Sequence, residues 1–447
     1  MMKLGLRNRR LWTCCLLAFL GIALLSLGAI TSSALTVDLL YDLLSDGPIS
    51  TSPLNTHRID PTGQRIAWLE QGNRMMLFEI SPEAIMLTDI PFPDLMRPAT
   101  AFQWSPDGQR VAMTESALLH RYEPDIWTID LSDISVRNCT NDLAFGHISD
   151  GSNDTWVDLF PTWRTADTLA FVRSTGNAPG EAAELRTIAV DACGAVAERA
   201  DPDASKLLWP FPAGFPDAFE IFAPPVWAPN GERLAIITQS QVPGLVTDGI
   251  WILNAETGAT LQFVPTERFA SAFPAWYGAT YLVPQDLAWL GDGEHLLVFV
   301  EDIGLTAGWP RMNLFIVDSQ TGSAQAIADY SSYTTRLQFY EQDDNGHTGL
   351  FDVPLQALVL PGGSAFITLH QEIEAGNDDL AAVELRLFEF VNGAPMLRHV
   401  GTLDATVQPR SRGDSMVHIA ETGKALLLNR YIVQFDLELI GSSATAD

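Results

Sequence analysis

A Trp-Ser-Pro-Asp-Gly turn with a strand on each side constrains this chain more than any other feature. Residues 102–113 read FQWSPDGQRVAM. Proline presets one dihedral angle of a turn, and glycine adopts a positive φ without steric cost. The Pro106-Asp107-Gly108 segment therefore predicts a tight turn between two antiparallel strands.

The same turn recurs along the chain. Seven copies can be aligned, and the third has Asp in place of Gly. The glycine or its equivalent lies at Gly63, Gly108, Asp167, Gly231, Gly293, Gly363 and Gly423. Most copies are followed by a strand of period two, a second turn and a further strand, which predicts a four-stranded antiparallel unit. Repetition of such units predicts an all-β fold, a single β-propeller of four-stranded blades with seven blades.

The two ends of the chain bear on how the propeller closes. The last unit ends after its third strand, at residues 431–439. Residues 35–44 could supply the missing outer strand, although they could equally form a short helix. We therefore divide the chain into a signal peptide or membrane anchor (1–34), a linker or closure segment (35–54), a propeller (55–440) and a flexible tail (441–447).

The WSPDGQRVAM segment resembles the repeat of TolB-type, WD-like propellers, and the resemblance covers residues 55–440. It implies the propeller fold. Related blades occur in periplasmic scaffolds, in prolyl oligopeptidase-type enzymes and in other envelope proteins, so the resemblance implies no single activity.

An apolar run near the N-terminus predicts the cellular compartment. Residues 11–30 carry no charge and follow the basic residues Lys3, Arg7, Arg9 and Arg10. The apolar region of a signal peptide has about 7–15 residues and a spanning helix about 20. Both interpretations stay open, since Ser32 and Ala34 could mark a cleavage site. Either way we expect an extracytoplasmic protein, membrane-anchored or alternatively secreted.

The charge of the chain excludes one class of partner. The formal net charge is −29, and the part after Ala34 has 22 basic against 55 acidic residues, a charge of −33. Nucleic-acid binding needs a basic patch for the phosphates, so nucleic acid is excluded as the expected partner.

Two cysteines lie in the predicted propeller. Cys139 falls late in the outer strand of the second blade, and Cys193 falls at a turn on the opposite face of the third blade. A disulfide needs Cα atoms within about 7 Å. We therefore predict that Cys139 and Cys193 are not paired.

Strand order makes the two faces of the predicted disk unequal. Antiparallel strands reverse at each turn, so the turns after the first and third strands of every blade share one face. We call it the short-turn face, because the Pro-Asp-Gly and Thr-Gly turns fall there. The opposite, long-loop face receives the long connections. Long loops on a rigid scaffold commonly carry binding residues, so we expect a partner there.

Two long connections, within residues 206–222 and 268–281, are rich in aromatic residues. We select Trp209, Trp276 and Tyr277 as binding residues for a protein or glycan partner, because aromatic rings supply contact area and nearby carboxylates supply orientation. The alternative is that these rings pack on one another and cover the disk, since monomers rarely expose large apolar patches.

One acidic segment has the spacing of a calcium loop. Glu341, Asp343, Asn345 and Asp352 stand at positions 1, 3, 5 and 12, with Gly346 at position 6. The residue types depart from the usual pattern, since Glu comes first and Asp last. The alternative is a solvated acidic turn. Calcium is the only cofactor that the sequence suggests.

Motifs for catalysis are absent from the sequence. It contains neither a Gly-x-Ser-x-Gly nucleophile turn nor a His-Glu-x-x-His zinc motif. The leading hypothesis is a binding scaffold, membrane-bound through its N-terminal segment. The alternative is a hydrolase or lyase with a site at the mouth of the propeller channel. Convergent Arg, His and carboxylate groups in the channel would favour the enzyme.

Overall fold

A computed structural model provides the fold of the chain between residues 33 and 435. The described residues are 33–34, 37–42, 58–61, 65–70, 74–79, 86–93, 99–115, 124–141, 157–174, 184–194, 201, 204–210, 224–238, 248–273, 282–302, 312–327, 350–360, 363–374, 383–391, 394–402, 416–419, 425–428 and 431–435.

Strands dominate these residues. In chain order they are β1 (Ser33–Ala34), β2 (Val37–Asp42), β3 (Arg58–Ile59), β4 (Arg65–Glu70), β5 (Arg74–Glu79), β6 (Met86–Pro91), β7 (Ala99–Trp104), β8 (Arg110–Glu115), β9 (Ile126–Asp130), β10 (Ser135–Asn138), β11 (Val157–Thr165), β12 (Thr168–Ser174), β13 (Glu184–Ala189), β14 (Lys206–Pro210), β15 (Val226–Trp227), β16 (Arg233–Thr238), β17 (Gly249–Asn254), β18 (Thr260–Pro265), β19 (Leu282–Trp289), β20 (His295–Asp302), β21 (Met312–Asp318), β22 (Ala324–Ala326), β23 (Leu350–Val359), β24 (Ala365–Glu374), β25 (Val383–Val391), β26 (Ala394–Thr402), β27 (Met416–Ile419), β28 (Ala425–Leu428) and β29 (Tyr431–Phe435). Short 3₁₀ helices lie at Val190–Ala192 and Thr266–Ala272.

The described strands form seven sheets. Five are antiparallel sets of four consecutive strands: β3–β6, β7–β10, β11–β14, β15–β18 and β19–β22. The sixth contains β23–β26, with β1 added in parallel along β26. The seventh contains β27–β29, and β2 pairs antiparallel with β29 as its outer strand. The strand interpretation of residues 35–44 is therefore confirmed over Val37–Asp42.

The innermost strands lie side by side in a ring. Each of β3, β7, β11, β15, β19, β23 and β27 contacts the next, and β27 also contacts β3. Sheets arranged radially around a centre are blades of a β-propeller, the all-β fold that the repeat predicted. We refer to these sheets of described strands as blades and number them in the order of their inner strands.

The short turns share one face, as predicted. In blade two the amide of Leu131, after β9, donates to the carbonyl of Gln109 in the turn between β7 and β8. Blades three to six repeat this bond between the same two turns. Gly108 has a φ of 67°, and the equivalent glycines of three other copies have the same conformation. The turn chemistry read from the sequence is therefore confirmed.

The core lies between adjacent blades. One cluster packs Ile237 and Ile252 of blade four against Leu287 and Val298 of blade five, and the other described clusters have the same character. Middle strands are consequently buried on both faces rather than alternately, as in β21, where all five central residues are buried. The period-two interpretation of these strands is corrected, because each blade has a neighbour on either side.

In blades two, three and five the tryptophan of the repeat joins the blade to the preceding one. The Trp104, Trp163 and Trp289 indole nitrogens donate to inner-strand carbonyls of the preceding blade, at 3.4, 3.1 and 2.9 Å. The acceptors are the carbonyls of Arg58, Gln103 and Val226. Trp227, in the same position of blade four, has a buried indole nitrogen with no such partner, and Arg164 lies over its ring instead.

In blades one, two and four an arginine five residues beyond the start of the turn joins the blade to the following one. Arg65 donates to the carbonyl of Gly108. Arg110 donates to the carbonyl of Ala166 at 2.8 Å, and Arg233 reaches that of Gly293 at 3.4 Å. One sequence repeat thus provides two contacts to neighbouring blades, in opposite directions around the ring.

Cys139 and Cys193 form a disulfide, with Cα atoms 4.1 Å apart, so the prediction that they are not paired is wrong. The error lay in treating the connection from β13 to β14 as a short turn. After the Val190–Ala192 helix the chain instead runs along β10 of blade two, where Asn138 and Gly194 exchange two backbone hydrogen bonds. This excursion places Cys193 beside the residue that follows Asn138.

We expect Trp289→Phe to destabilise the protein by about 1 kcal/mol more than Trp227→Phe. Both substitutions remove similar volume, but only the first leaves a partly buried carbonyl, that of Val226, without its donor. Urea denaturation of both variants measures the difference. Equal losses would show that the indole hydrogen bond contributes nothing to the joint between blades.

Loss of the disulfide should lower the free energy of unfolding by about 4 kcal/mol, because the bridge closes a loop across a sequence separation of 54. Denaturation of Cys139→Ser/Cys193→Ser against the parent measures this. Peptide mapping after alkylation of the native, unreduced protein should find neither cysteine labelled. Labelling of both would contradict the pairing.

Candidate functional site

Trp209 does not lie on an exposed loop. It belongs to β14, the outer strand of blade three, and its side chain is 6% exposed. Its ring packs against Trp251 of blade four, with centroids 5.6 Å apart. The expected loop position is therefore corrected: residues 206–210 form a strand because they pair with β13. A partner contact of Trp209 stays a prediction.

The other two predicted binding residues, Trp276 and Tyr277, lie outside the described residues. The chain approaches them through the Thr266–Ala272 helix, which buries Phe269 in the core between blades four and five. Phe269 and Phe273 lie 4.8 and 6.3 Å from the ring of Phe315. For these two aromatic residues of the 268–281 connection, packing on the disk is the observed role.

The predicted calcium ligands are mostly outside the described part of the chain. Glu341, Asp343 and Asn345 lie there, whereas Asp352 belongs to β23 and pairs in register with Glu372 of β24. Within the described ranges, His, Cys, Asp and Glu form no group of three or more that could hold a metal ion. The calcium site stays a prediction.

The centre of the ring contains two opposite charges. Arg58 belongs to β3 of blade one and Asp286 to β19 of blade five, and their charges interact. These blades are not neighbours, so the interaction crosses the central channel. Both side chains are accessible to solvent although protein surrounds them, which is the setting of a channel wall.

Burial within the protein raises the pKa of the Asp286 carboxyl, and the nearby Arg58 charge offsets only part of that effect. Burial likewise lowers the pKa of the Arg58 guanidinium. A carboxyl whose pKa is raised by its surroundings, beside a cation in a cleft, is a candidate functional group. No pattern in the sequence indicates this pair, because 228 positions of chain separate the two residues and only ring closure brings them together.

Several inner strands, which line the channel, contain β-bulges or other irregularities of pairing. Among the described inner strands, the pairing register shifts in β7, β11, β19 and β23, and in β19 the shift lies directly before Asp286. Pairings of outer strands, such as β13 with β14 and β25 with β26, shift as well. In β11 the first shift coincides with Phe160, whose φ is 56°. Bulges leave backbone polar groups unpaired and are frequent next to binding sites. Most of these shifts lie on the long-loop half of the inner strands, whereas the second shift of β11, between Trp163 and Thr165, lies at its short-turn end.

Comparisons with known proteins concern fold alone. No protein-family profile and no curated protein matches the chain. Similar solved structures include TolB from Acinetobacter baumannii, with 13% identity over 76% of this chain and 67% of that one and a TM-score of 0.37. They also include an oligogalacturonate lyase from Vibrio parahaemolyticus (10%, 91% and 98%, 0.48) and the WD40 propeller domain of Doa1 (12%, 91% and 98%, 0.45).

The described residues contain no helix with both the length and the apolar character needed to cross a bilayer. The apolar run at residues 11–30 lies outside the described residues.

Asp286→Asn should stabilise the protein at neutral pH. Because the folded pKa of Asp286 lies above the unfolded value of about 3.9, the native state holds the proton longer, and stability falls as pH rises through the folded pKa. The variant has no carboxyl at this position and does not lose stability in this way. The free energies of unfolding of the two proteins should therefore become equal towards about pH 4. Denaturation midpoints measured across this range test the expectation.

Asp130→Asn should have the opposite effect and destabilise the protein at neutral pH. The hydroxyl and amide of Ser132, together with Arg110, hold the pKa of Asp130 below its usual value. Its contribution is therefore present above the unfolded pKa and lost as pH falls through the folded one. Equal pH profiles for the Asp286→Asn variant and the parent would contradict the placement of Asp286.

Proposed function

We propose that this chain is an extracytoplasmic, membrane-tethered, seven-bladed propeller that acts as a binding scaffold for a protein or glycan at its long-loop face. The disulfide between Cys139 and Cys193 is the main support for an extracytoplasmic location, because disulfides persist mainly in oxidising environments outside the cytosol. The basic stub and apolar run at the N-terminus favour the same side of a membrane.

Seven blades are favoured by two features. The inner strands form a ring of seven in which β27 lies beside β3. The last blade obtains its fourth strand from the N-terminal segment, through β2. An eighth blade would need another four-stranded unit, and the turn repeat supplies seven copies.

Binding at the long-loop face is favoured by the contrast between the two faces. On the short-turn face the turns bond to one another and to adjacent blades, so their backbone groups are largely occupied. The long-loop half of the inner strands instead has bulges, and the strongly acidic chain suits a basic protein segment or a polar glycan.

A second function, a hydrolase or lyase acting in the channel, is favoured by Asp286. A carboxyl with a raised pKa can hold a proton closer to neutral pH, as a general acid must. Arg58, opposite it, would attract an anionic group of a substrate. In this alternative Asp286→Asn abolishes turnover while leaving the fold intact.

The test is affinity capture from the envelope fraction of the source cells, with the full chain as bait and mass spectrometry as readout. Trp276→Ala and Tyr277→Ala should each reduce capture of one partner at least about tenfold, as central aromatic residues of interfaces do. Asn230→Ala and Glu232→Ala, at an exposed short turn, are the matched controls and should capture normally.

Thermal unfolding of each variant separates binding from folding. A Trp276→Ala variant that fails to fold would assign the ring to the core. Loss of capture by the short-turn variants, with the aromatic variants unaffected, would place the partner on the opposite face and contradict the proposal.

A further inference from the structure

A polar cleft opens between blades two and three at the short-turn face, away from the proposed partner surface. Its volume is about 340 Å³, within the range of small-molecule sites. Blade two provides one wall from β8, β9 and β10, and blade three provides the other from the β11–β12 turn and the Val190–Ala192 helix. We call it the inter-blade cleft.

The walls of the inter-blade cleft are fixed in place. Arg110 spans the two blades, binding Asp130 at 3.1 Å and Asp167 at 2.7 Å. The Val190–Ala192 helix is held at its start by a bond from the amide of Val190 to the carbonyl of Asp167, and at its end by the Cys193 disulfide. A ligand would therefore find the cleft already formed and would not have to order it.

Two charged side chains of the cleft are only weakly engaged by the fold. Together with the hydrogen bonds from Ser135, the Arg137 charge helps to lower the pKa of Asp133, and the two charged groups form no closer contact. Arg137 of β10 and Asp191 of the helix are both exposed, and neither forms a hydrogen bond or ion pair with the described residues. They lie on opposite walls and do not reach each other. By contrast, the Arg110 guanidinium already binds two carboxylates and a carbonyl.

The balance of charge restricts the chemistry of a ligand. The lining contains two arginines, Arg110 and Arg137, against three aspartates, Asp130, Asp167 and Asp191. A phosphate or polyanion would meet a net negative lining, and a simple cation would make no contact with Arg137. A molecule with a carboxylate and an ammonium group can contact Arg137 on one wall and Asp191 on the other, and each such charged contact is a strong hydrogen bond.

We propose that the inter-blade cleft binds a small zwitterion, a free amino acid or dipeptide, with its carboxylate on Arg137 and its ammonium group on Asp191. The cleft is polar and has room for such a ligand, with Thr128 and Thr168 also in its lining. This site is independent of the scaffold function proposed for the long-loop face.

The probes are three matched dipeptides: Ala-Ala, N-acetyl-Ala-Ala and Ala-Ala-amide. Isothermal titration of the full chain in detergent should show binding of Ala-Ala at up to millimolar concentration. Each blocked form loses one charged contact and should bind at least about tenfold more weakly. Raised salt should weaken the binding of Ala-Ala, since the contacts are only partly shielded from solvent.

Two variants assign the contacts. Arg137→Gln should weaken binding of Ala-Ala but remove the difference between Ala-Ala and Ala-Ala-amide. Asp191→Asn should remove the difference between Ala-Ala and its N-acetyl form. Changing the protein side chain and the ligand group together measures the interaction between them, separately for Arg137 with the carboxylate and for Asp191 with the ammonium group. Arg74→Gln, which loses an exposed ion pair of blade one, is the control and should bind like the parent.

Failure of Ala-Ala to bind, or equal binding of all three dipeptides, would overturn the proposal and leave Arg137 and Asp191 as solvated surface charges. Unchanged unfolding temperatures for the three variants would exclude misfolding as the cause of weaker binding. Because both walls are surface side chains, these substitutions are expected to leave the fold intact.

Discussion

Contacts between the edge of one blade and the backbone of the next hold this structure together. The Trp104 indole donates back to blade one, and Arg110 donates forward to blade three. Both residues belong to a single turn repeat, so the residues that shape a blade also fix its distance to its neighbours. A ring of similar blades follows from repetition, and the apolar clusters fill the spaces between them.

The parts of the fold that depend on short stretches of sequence could be predicted. The turn around Gly108 needs a positive φ, and the structure has one. The outer strand within residues 35–44 followed from an incomplete last unit, and β2 fills that place. In both cases a local pattern or a count of strands was enough, because a four-stranded unit is defined almost wholly by neighbouring residues.

Features that depend on which distant segments meet could not be predicted. The Cys139–Cys193 disulfide exists because the connection after β13 leaves its own blade and pairs with Asn138. Trp209 is buried because β14 faces blade four, a contact that composition does not reveal. The Arg58–Asp286 interaction arises only when the ring closes. The repeat predicts the structure of a single blade, whereas the disulfide, the burial of Trp209 and the Arg58–Asp286 interaction depend on contacts between blades.

The pairing of β2 with β29 has a consequence for how the molecule is made. Val37 and Phe435 are register partners, so the last blade combines the first and last parts of the chain. Among the described strand pairings this one joins the residues farthest apart in sequence, and such pairings form slowly. During synthesis, residues 37–42 cannot pair in this sheet until residues 431–435 have been made. An unpaired strand edge in the meantime is prone to aggregation. A protein built in this way would benefit from a chaperone that covers that edge until β29 has been made.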